Sequence, residues 1–246
     1  MFKDLARALG GIALVGIALA TAGCEETPFT IEGNKGVPLA ELDLSGKAPE
    51  EITLLGPDRV RVIQGDKLAI AVEGDQSVKD RLRFVLGDGK LGIGRDRWKS
   101  GDAEGVATIS VTVPDARRLV LAGSGTLDAD ALRGENVGVT IAGSGTVNAA
   151  SIGAGELKVE VLGSGALKAA GKARALKLTV AGSGDAEMPG LSAETADVDV
   201  AGSGTAHFAS DGNVKANIMG SGEVQVKGRA TCKVTSMGSG KLVCTP

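Results

Sequence analysis

From residue 116 onward, apolar and polar residues alternate with a period of two, and the alternation is broken at near-regular intervals by the triplet Gly-Ser-Gly. The copies are Gly123-Ser124-Gly125, Gly143-Ser144-Gly145, Gly163-Ser164-Gly165, Gly182-Ser183-Gly184, Gly202-Ser203-Gly204, Gly220-Ser221-Gly222 and Gly238-Ser239-Gly240, with steps of 20, 20, 19, 20, 18 and 18 residues. Counted from the first Gly of each triplet, positions −6, −4, −2, +4 and +6 are apolar in 33 of 35 cases, the exceptions being Arg117 and Ser236. Positions −5, −3, +3 and +5 are apolar in only 3 of 28, at Val120, Ala166 and Val243. This contrast predicts strands with one buried face and excludes a helix, whose apolar face would recur near every 3.6 residues.

Each copy therefore reads as strand, corner, strand, followed by a segment that returns the chain. In that segment Leu132, Ile152 and Leu191 recur at +9 as a third apolar contact. A lap of this length suits a small three-sided cross-section, and laps stacked at the strand spacing of about 4.8 Å make a parallel β-helix of about seven rungs. One lap cannot bury its inner face alone, whereas stacked neighbours can. Glycine is expected at the corners because a sharp bend often needs positive φ, and because the absence of Cβ lets laps approach closely. The stacked serines are placed to bond neighbouring hydroxyls or backbone.

Residues 37–115 are strand-like but irregular, and 116–246 form the array. Candidate strands lie at 37–44, 51–55, 59–64, 67–73, 81–86, 90–93 and 106–113, with turns at Gly65-Asp66, Gly74-Asp75 and Gly87-Asp88-Gly89 and one helical turn over 76–81. Trp98 falls in a polar stretch, 94–105, expected as an exposed loop. No linker separates the two parts, so 37–246 is expected to be a single domain. Its first part supplies irregular laps or a β cap that closes an open edge.

Residues 1–23 read as a signal peptide, with Lys3 and Arg7 ahead of an uncharged apolar run at 8–22, too short to span a bilayer comfortably. Ala20-Thr21-Ala22 fits ordinary cleavage. Thr21-Ala22-Gly23-Cys24 resembles a bacterial lipoprotein box, although Thr21 stands where Leu is usual, and predicts lipidation of Cys24. Residues 24–36 read as a polar tether. An exported protein meets an oxidising space, periplasmic or outer-membrane, where disulfides persist. Cys232 and Cys244 occupy inward positions −6 and +6 of the last lap and predict either a disulfide closing that lap or two buried thiols.

Four short segments in order, Ile63-Gln64-Gly65-Asp66, Asp88-Gly89-Lys90-Leu91, Val111-Thr112-Val113-Pro114 and Leu121-Ala122-Gly123-Ser124-Gly125, together with the repeat, resemble the bacterial family called putative auto-transporter adhesin, head GIN domain. The resemblance covers about residues 37–244. It implies an exported, all-β, right-handed β-helical domain and carries over no catalytic residues.

Composition narrows the chemistry. A single histidine, His207, removes multi-histidine metal sites and makes histidine-based nucleophilic catalysis a poor fit. Four Phe, one Trp and no Tyr argue against base-stacking platforms, and the formal charge of −3 gives no pull toward polyanions, so no nucleic acid partner is expected. No cofactor or metal is expected. Gly-Ser-Gly as a phosphate loop would need a helix after each copy, and position +3 lacks the repeated Asp of a calcium roll. The −5 column holds Arg118, Lys158, Lys177, Lys215 and Lys233, a basic stripe or simply a solvated face. Asp185 with Glu187, or Asp197 with Asp199, are the carboxylate pairs a carbohydrate-active β-helix enzyme would use. His207 is expected to face solvent. The leading expectation is a non-enzymatic envelope scaffold for adhesion that binds an envelope glycan or protein. The alternatives are that enzyme and an envelope sensor domain.

Overall fold

The computed structural model describes residues 29–31, 33–96 and 105–246; the leader, Cys24 and Trp98 lie outside them. In chain order the strands are β1 (Thr30–Ile31), β2 (Asn34–Lys35), β3 (Glu51–Leu55), β4 (Arg59–Gln64), β5 (Ala69–Glu73), β6 (Leu82–Gly87), β7 (Lys90–Arg95), β8 (Thr108–Val113), β9 (Arg118–Gly123), β10 (Thr126–Ala129), β11 (Leu132–Gly143), β12 (Thr146–Gly163), β13 (Ala166–Gly182), β14 (Asp185–Gly202), β15 (Thr205–Gly220), β16 (Glu223–Lys227), β17 (Thr231–Gly238) and β18 (Lys241–Thr245). One helical turn, α1, spans Gln76–Lys79.

The array is a parallel β-helix of about six turns. Each lap pairs in parallel with the next: Val139 sits beside Val159, Val159 beside Leu178, Leu178 beside Val198, and Val198 beside Ala216. Inward columns are almost fully buried, as in Leu54, Leu121, Ile141, Val161, Val180, Val200 and Ile218, each at most 1% exposed. The core is one continuous cluster from Ile52 to Val226. The expected third contacts, Leu132, Ile152 and Leu191, are all buried. In the intervening lap the same place is Gly171, where an added Cβ would collide with the Ile152 carbonyl.

Both corner glycines have a physical reason. The first carries φ between 115° and 129° at every copy, which an L side chain rarely adopts. The second has little room: a Cβ on Gly165 would lie 2.5 Å from Ile141 Cγ2 and 2.8 Å from the Gly145 carbonyl oxygen. The corners stay inside the ladder, since the Gly123 carbonyl accepts from both Ser144 N–H and Gly145 N–H at 3.0 Å. The corner serines are exposed and their hydroxyls bond no described residue, so the expected serine contacts between laps do not form.

The first part of the chain extends the same stack, in an order the sequence conceals. β3 pairs with β9 and β4 with β10, so Gly56-Pro57-Asp58 occupies the place of a Gly-Ser-Gly corner, with Gly56 at φ 129°. β7 and β8 then lie outside β3 and β4 as a further rung. Two antiparallel strands close this end, β6 on β7 and β5 on β8. Val78, Leu82 and Phe84, each at most 1% exposed, plug the core beneath them.

Segment 37–44, expected as a strand, is instead a bridge at Val37 to Phe84 followed by a 3-10 turn, Leu39–Glu41. Pro38 removes a ladder donor at that point. The described part of the expected tether is also structured. β1 and β2 form a hairpin, and Phe29 and Ile31 fill the space above Gly94 and Gly92 where side chains would otherwise stand.

Two polar clusters tie the extra rungs to the array. Asp58, fully buried, accepts from Arg95 Nε at 2.7 Å and from the Ala107 N–H at 2.8 Å, while its backbone carbonyl accepts from Thr126 N–H. Glu50 accepts from Lys47 and sits 3.1 Å from Arg117 Nη1, and the hydrogen bond and the two cations hold its carboxyl below the usual glutamate range. Its contribution to stability is therefore present above the ordinary glutamate pKa and is lost as pH falls through the lowered native value.

At the other end, Cys232 and Cys244 form a disulfide with a Cα–Cα distance of 6.8 Å. It closes a 12-residue separation in the final lap, a loop for which the chain-entropy estimate is roughly 3 kcal/mol.

Two stability measurements follow from this packing. Gly163→Val, with φ at 115° and a Cβ that would lie 2.7 Å from the Gly143 carbonyl, should lose at least about 1–3 kcal/mol in denaturant titrations. Ser164→Ala at the same exposed corner should stay within about 0.5 kcal/mol of the parent. Asp58→Ala, which strands the buried Arg95 guanidinium, should cost about 3–5 kcal/mol in the same assay.

Candidate functional site

The two outward faces carry columns of polar side chains set by the lap-to-lap register. On the first face the basic stripe is aligned as the spacing predicted: Arg118, Gly138, Lys158, Lys177, Asp197, Lys215 and Lys233 are consecutive neighbours. It is largely neutralised. Lys158 pairs with Glu160 at 2.9 Å, Lys177 with Glu156 at 2.7 Å, and Arg118 with Glu51 at 3.6 Å. Asp197 stands between Lys177 and Lys215, and Asp199 accepts from Asn217 Nδ2 at 2.9 Å. Over Arg118 to Lys177 this face is a solvated, internally paired surface, while Lys215 and Lys233 have no ion-pair partner among the described residues.

The second face ends differently. Its outer column runs Arg61, Asp128, Asn148, Lys168, Glu187, His207 and Gln225. Beyond it, at the second corner, the laps differ in length, and the register slips between Ala149 and Ile152, between Lys168 and Ala170, and between Glu187 and Ser192. An extra residue in one lap but not its neighbour is a bulge, and it turns the strand away from the ladder. A groove of about 630 Å³ follows this corner along the stack.

Its floor is built of small residues, Ala149, Ala150, Ala169, Ala170, Pro189 and Gly190, and its wall of Asp128, Asn148, Lys168, Glu187 and His207. Five wall positions at the strand spacing make it about 19 Å long. The wall alternates in character. Asn148 Nδ2 donates to Asp128 Oδ1 at 2.7 Å, and Lys168 Nζ lies 4.0 Å from Glu187, with both side chains more than half exposed. An ion pair so exposed contributes little, so these groups are free to exchange their partners for a ligand's. The methyl floor offers apolar contact and the wall offers donors and acceptors in sequence, which suits an extended chain rather than a compact molecule.

The sequence-predicted site residues divide around this groove. Glu187 lines it; Asp185 does not, and accepts from Thr205 Oγ1 at 2.6 Å instead. His207 differs from the expectation of a solvent-facing residue. It is half-buried on the groove wall beside Glu187, because the column it belongs to borders the bulged corner. Among the described residues no three His, Cys, Asp or Glu side chains converge as metal ligands. The groove itself went unread in the sequence. Its signals were the small residues at +7 and +8 and the variation in lap length, both in the segment treated only as a return.

The fold and groove define a β-helical protein with an elongated surface groove open to solvent. The chain belongs to the family described as putative auto-transporter adhesin, head GIN domain, which it matches over residues 48–230. Solved structures share the fold. A putative adhesin from Bacteroides fragilis is 19% identical, with 81% of this chain and 93% of that chain covered and a TM-score of 0.71. A putative lipid binding protein from Parabacteroides distasonis is 22% identical, with 81% and 93% covered and a TM-score of 0.64. A putative adhesin from Parabacteroides merdae is 17% identical, with 80% and 92% covered and a TM-score of 0.58. No curated protein matches the chain.

Proposed function

We propose that the protein is an exported, non-enzymatic scaffold of the cell envelope, anchored by lipid at Cys24, that binds an extended envelope glycan along the groove of the second face. The observation that carries this reading is the groove. It is long, floored by alanine, proline and glycine and walled by polar side chains that follow one another lap by lap. The adhesin names of the family and of two similar structures support a binding role, and the lipoprotein-like box before Cys24 supports anchorage. A repeating polymer suits a repeating wall, since each sugar unit meets the next lap's polar side chain while its C–H face rests on the methyl floor.

Glycan-array binding tests the groove. Ala150→Trp, placed on the exposed floor, should weaken binding by at least about tenfold, equivalent to about 1.4 kcal/mol, while leaving the melting profile unchanged. Binding that survives this substitution would reject the groove. Release of reducing ends that disappears in Asp185→Asn would instead establish the carbohydrate-active alternative through Asp185 and Glu187. Anchorage is tested by metabolic labelling with a fatty acid. Incorporation should be blocked by globomycin and absent in Cys24→Ser, and unlabelled parent protein would reject it.

A further inference from the structure

The two ends of the stack are unlike. The N-terminal end is closed by β5, β6 and the buried Phe84, whereas among the described residues β17 pairs only with β15, and β18 only with β16. The last lap thus leaves a row of backbone N–H and C=O groups uncovered. Its side chains are also uncovered: Val234, at an inward position buried in the laps before it, is 47% exposed, and Val243 and Met237 are 40% and 71% exposed.

Charge is segregated to the same end. Residues 224–246 contain Lys227, Arg229, Lys233 and Lys241 and no acidic residue, on a chain whose formal charge is −3. On the flanks Lys158, Lys168 and Lys177 each have a carboxylate partner, whereas Lys227, Lys233 and Lys241 have no ion-pair partner among the described residues and no acidic residue lies in their segment. The disulfide joins the two strands of this lap, β17 and β18.

We propose that this open C-terminal end docks on the surface of a bilayer containing anionic phospholipid. Three features decide the occupant. A second copy presenting the same end would set the unpaired Lys227, Lys233 and Lys241 against their own counterparts, and edge lysines oppose strand pairing. Lysines interleaved with Met and Val match the boundary between headgroups and acyl chains, where cations meet phosphate and short apolar groups insert. The unpaired backbone groups fix the depth. They cannot enter hydrocarbon, but at headgroup level phosphate oxygens and water accept and donate to them. The N-terminal hairpin lies at the far end of the stack, so this contact is separate from it, and Lys227, Lys233 and Lys241 line no part of the groove.

Vesicle flotation tests the proposal with the full chain carrying Cys24→Ser, so that no acyl chain at that residue contributes. The protein should float with phosphatidylglycerol-containing vesicles, and much less with phosphatidylcholine alone. Each lysine near such a surface strengthens binding about fivefold, so Lys233→Gln with Lys241→Gln should weaken flotation about 25-fold. Lys67→Gln with Lys172→Gln, away from both the tip and the groove, should leave it unchanged. Both pairs are exposed, and circular dichroism confirms that each variant folds. Equal flotation on the two lipids, equal loss from the Lys67 and Lys172 pair, or no loss from the tip pair overturns the proposal. A lipid-free dimer in sedimentation that the tip pair abolishes also overturns it, by assigning the end to a second copy.

Discussion

The close approach of one glycine corner to the next is the contact on which the rest of the molecule depends. At each corner the carbonyl of one lap accepts N–H groups from the next, at distances such as the 2.9 Å between Ser203 and Gly182. That spacing leaves no room for a Cβ and demands a positive φ at the leading residue. Once corners stack at the strand spacing, the flanking strands must pair in register, and the aliphatic side chains on their inner faces must meet. Burial of those columns then supplies the hydrophobic stabilisation that no single lap could obtain. The corner is therefore a geometric condition for the core and not an ornament on it.

A stack built this way is satisfied along its length and exposed at its ends. The chain treats the two ends differently. At the N-terminal end it reverses direction, so that antiparallel strands and a buried phenylalanine cover the last rung. The bidentate Arg95–Asp58 contact locks this region to a corner where aspartate stands in the place of the second glycine. At the C-terminal end covalent closure replaces coverage. The disulfide fixes the final lap without hiding its edge, leaving backbone groups, lysines and apolar side chains facing outward together.

Between the ends, the first corner is uniform and the second is not. The uniform corner yields flat, internally paired columns. The variable corner yields bulges, and the bulges open a groove where the floor residues are small. Surface relief in this protein thus comes from small differences in lap length, which move the return segment without disturbing the inward columns.

The period-two alternation and the spacing of Gly-Ser-Gly determined the β-helix and its inward residues and set Cys232 and Cys244 on the inner side of one lap, while their bond was decided by the structure. The helix, its inward residues and the placing of the two cysteines are consequences of local stereochemistry repeated at a constant interval. Gly56-Pro57-Asp58 escaped that reading because two of its three residues differ from the repeat and a long insertion separates it from the next corner. Pro38 and the hairpin ahead of it escaped because their partners, Phe84, Gly92 and Gly94, are distant in the chain. Only the tertiary structure decided that β7 and β8 lie outside β3 and β4, that His207 borders a groove rather than open solvent, and that the N-terminal end is plugged by antiparallel strands. Each depends on which segments meet across space, and no periodicity along the chain encodes that.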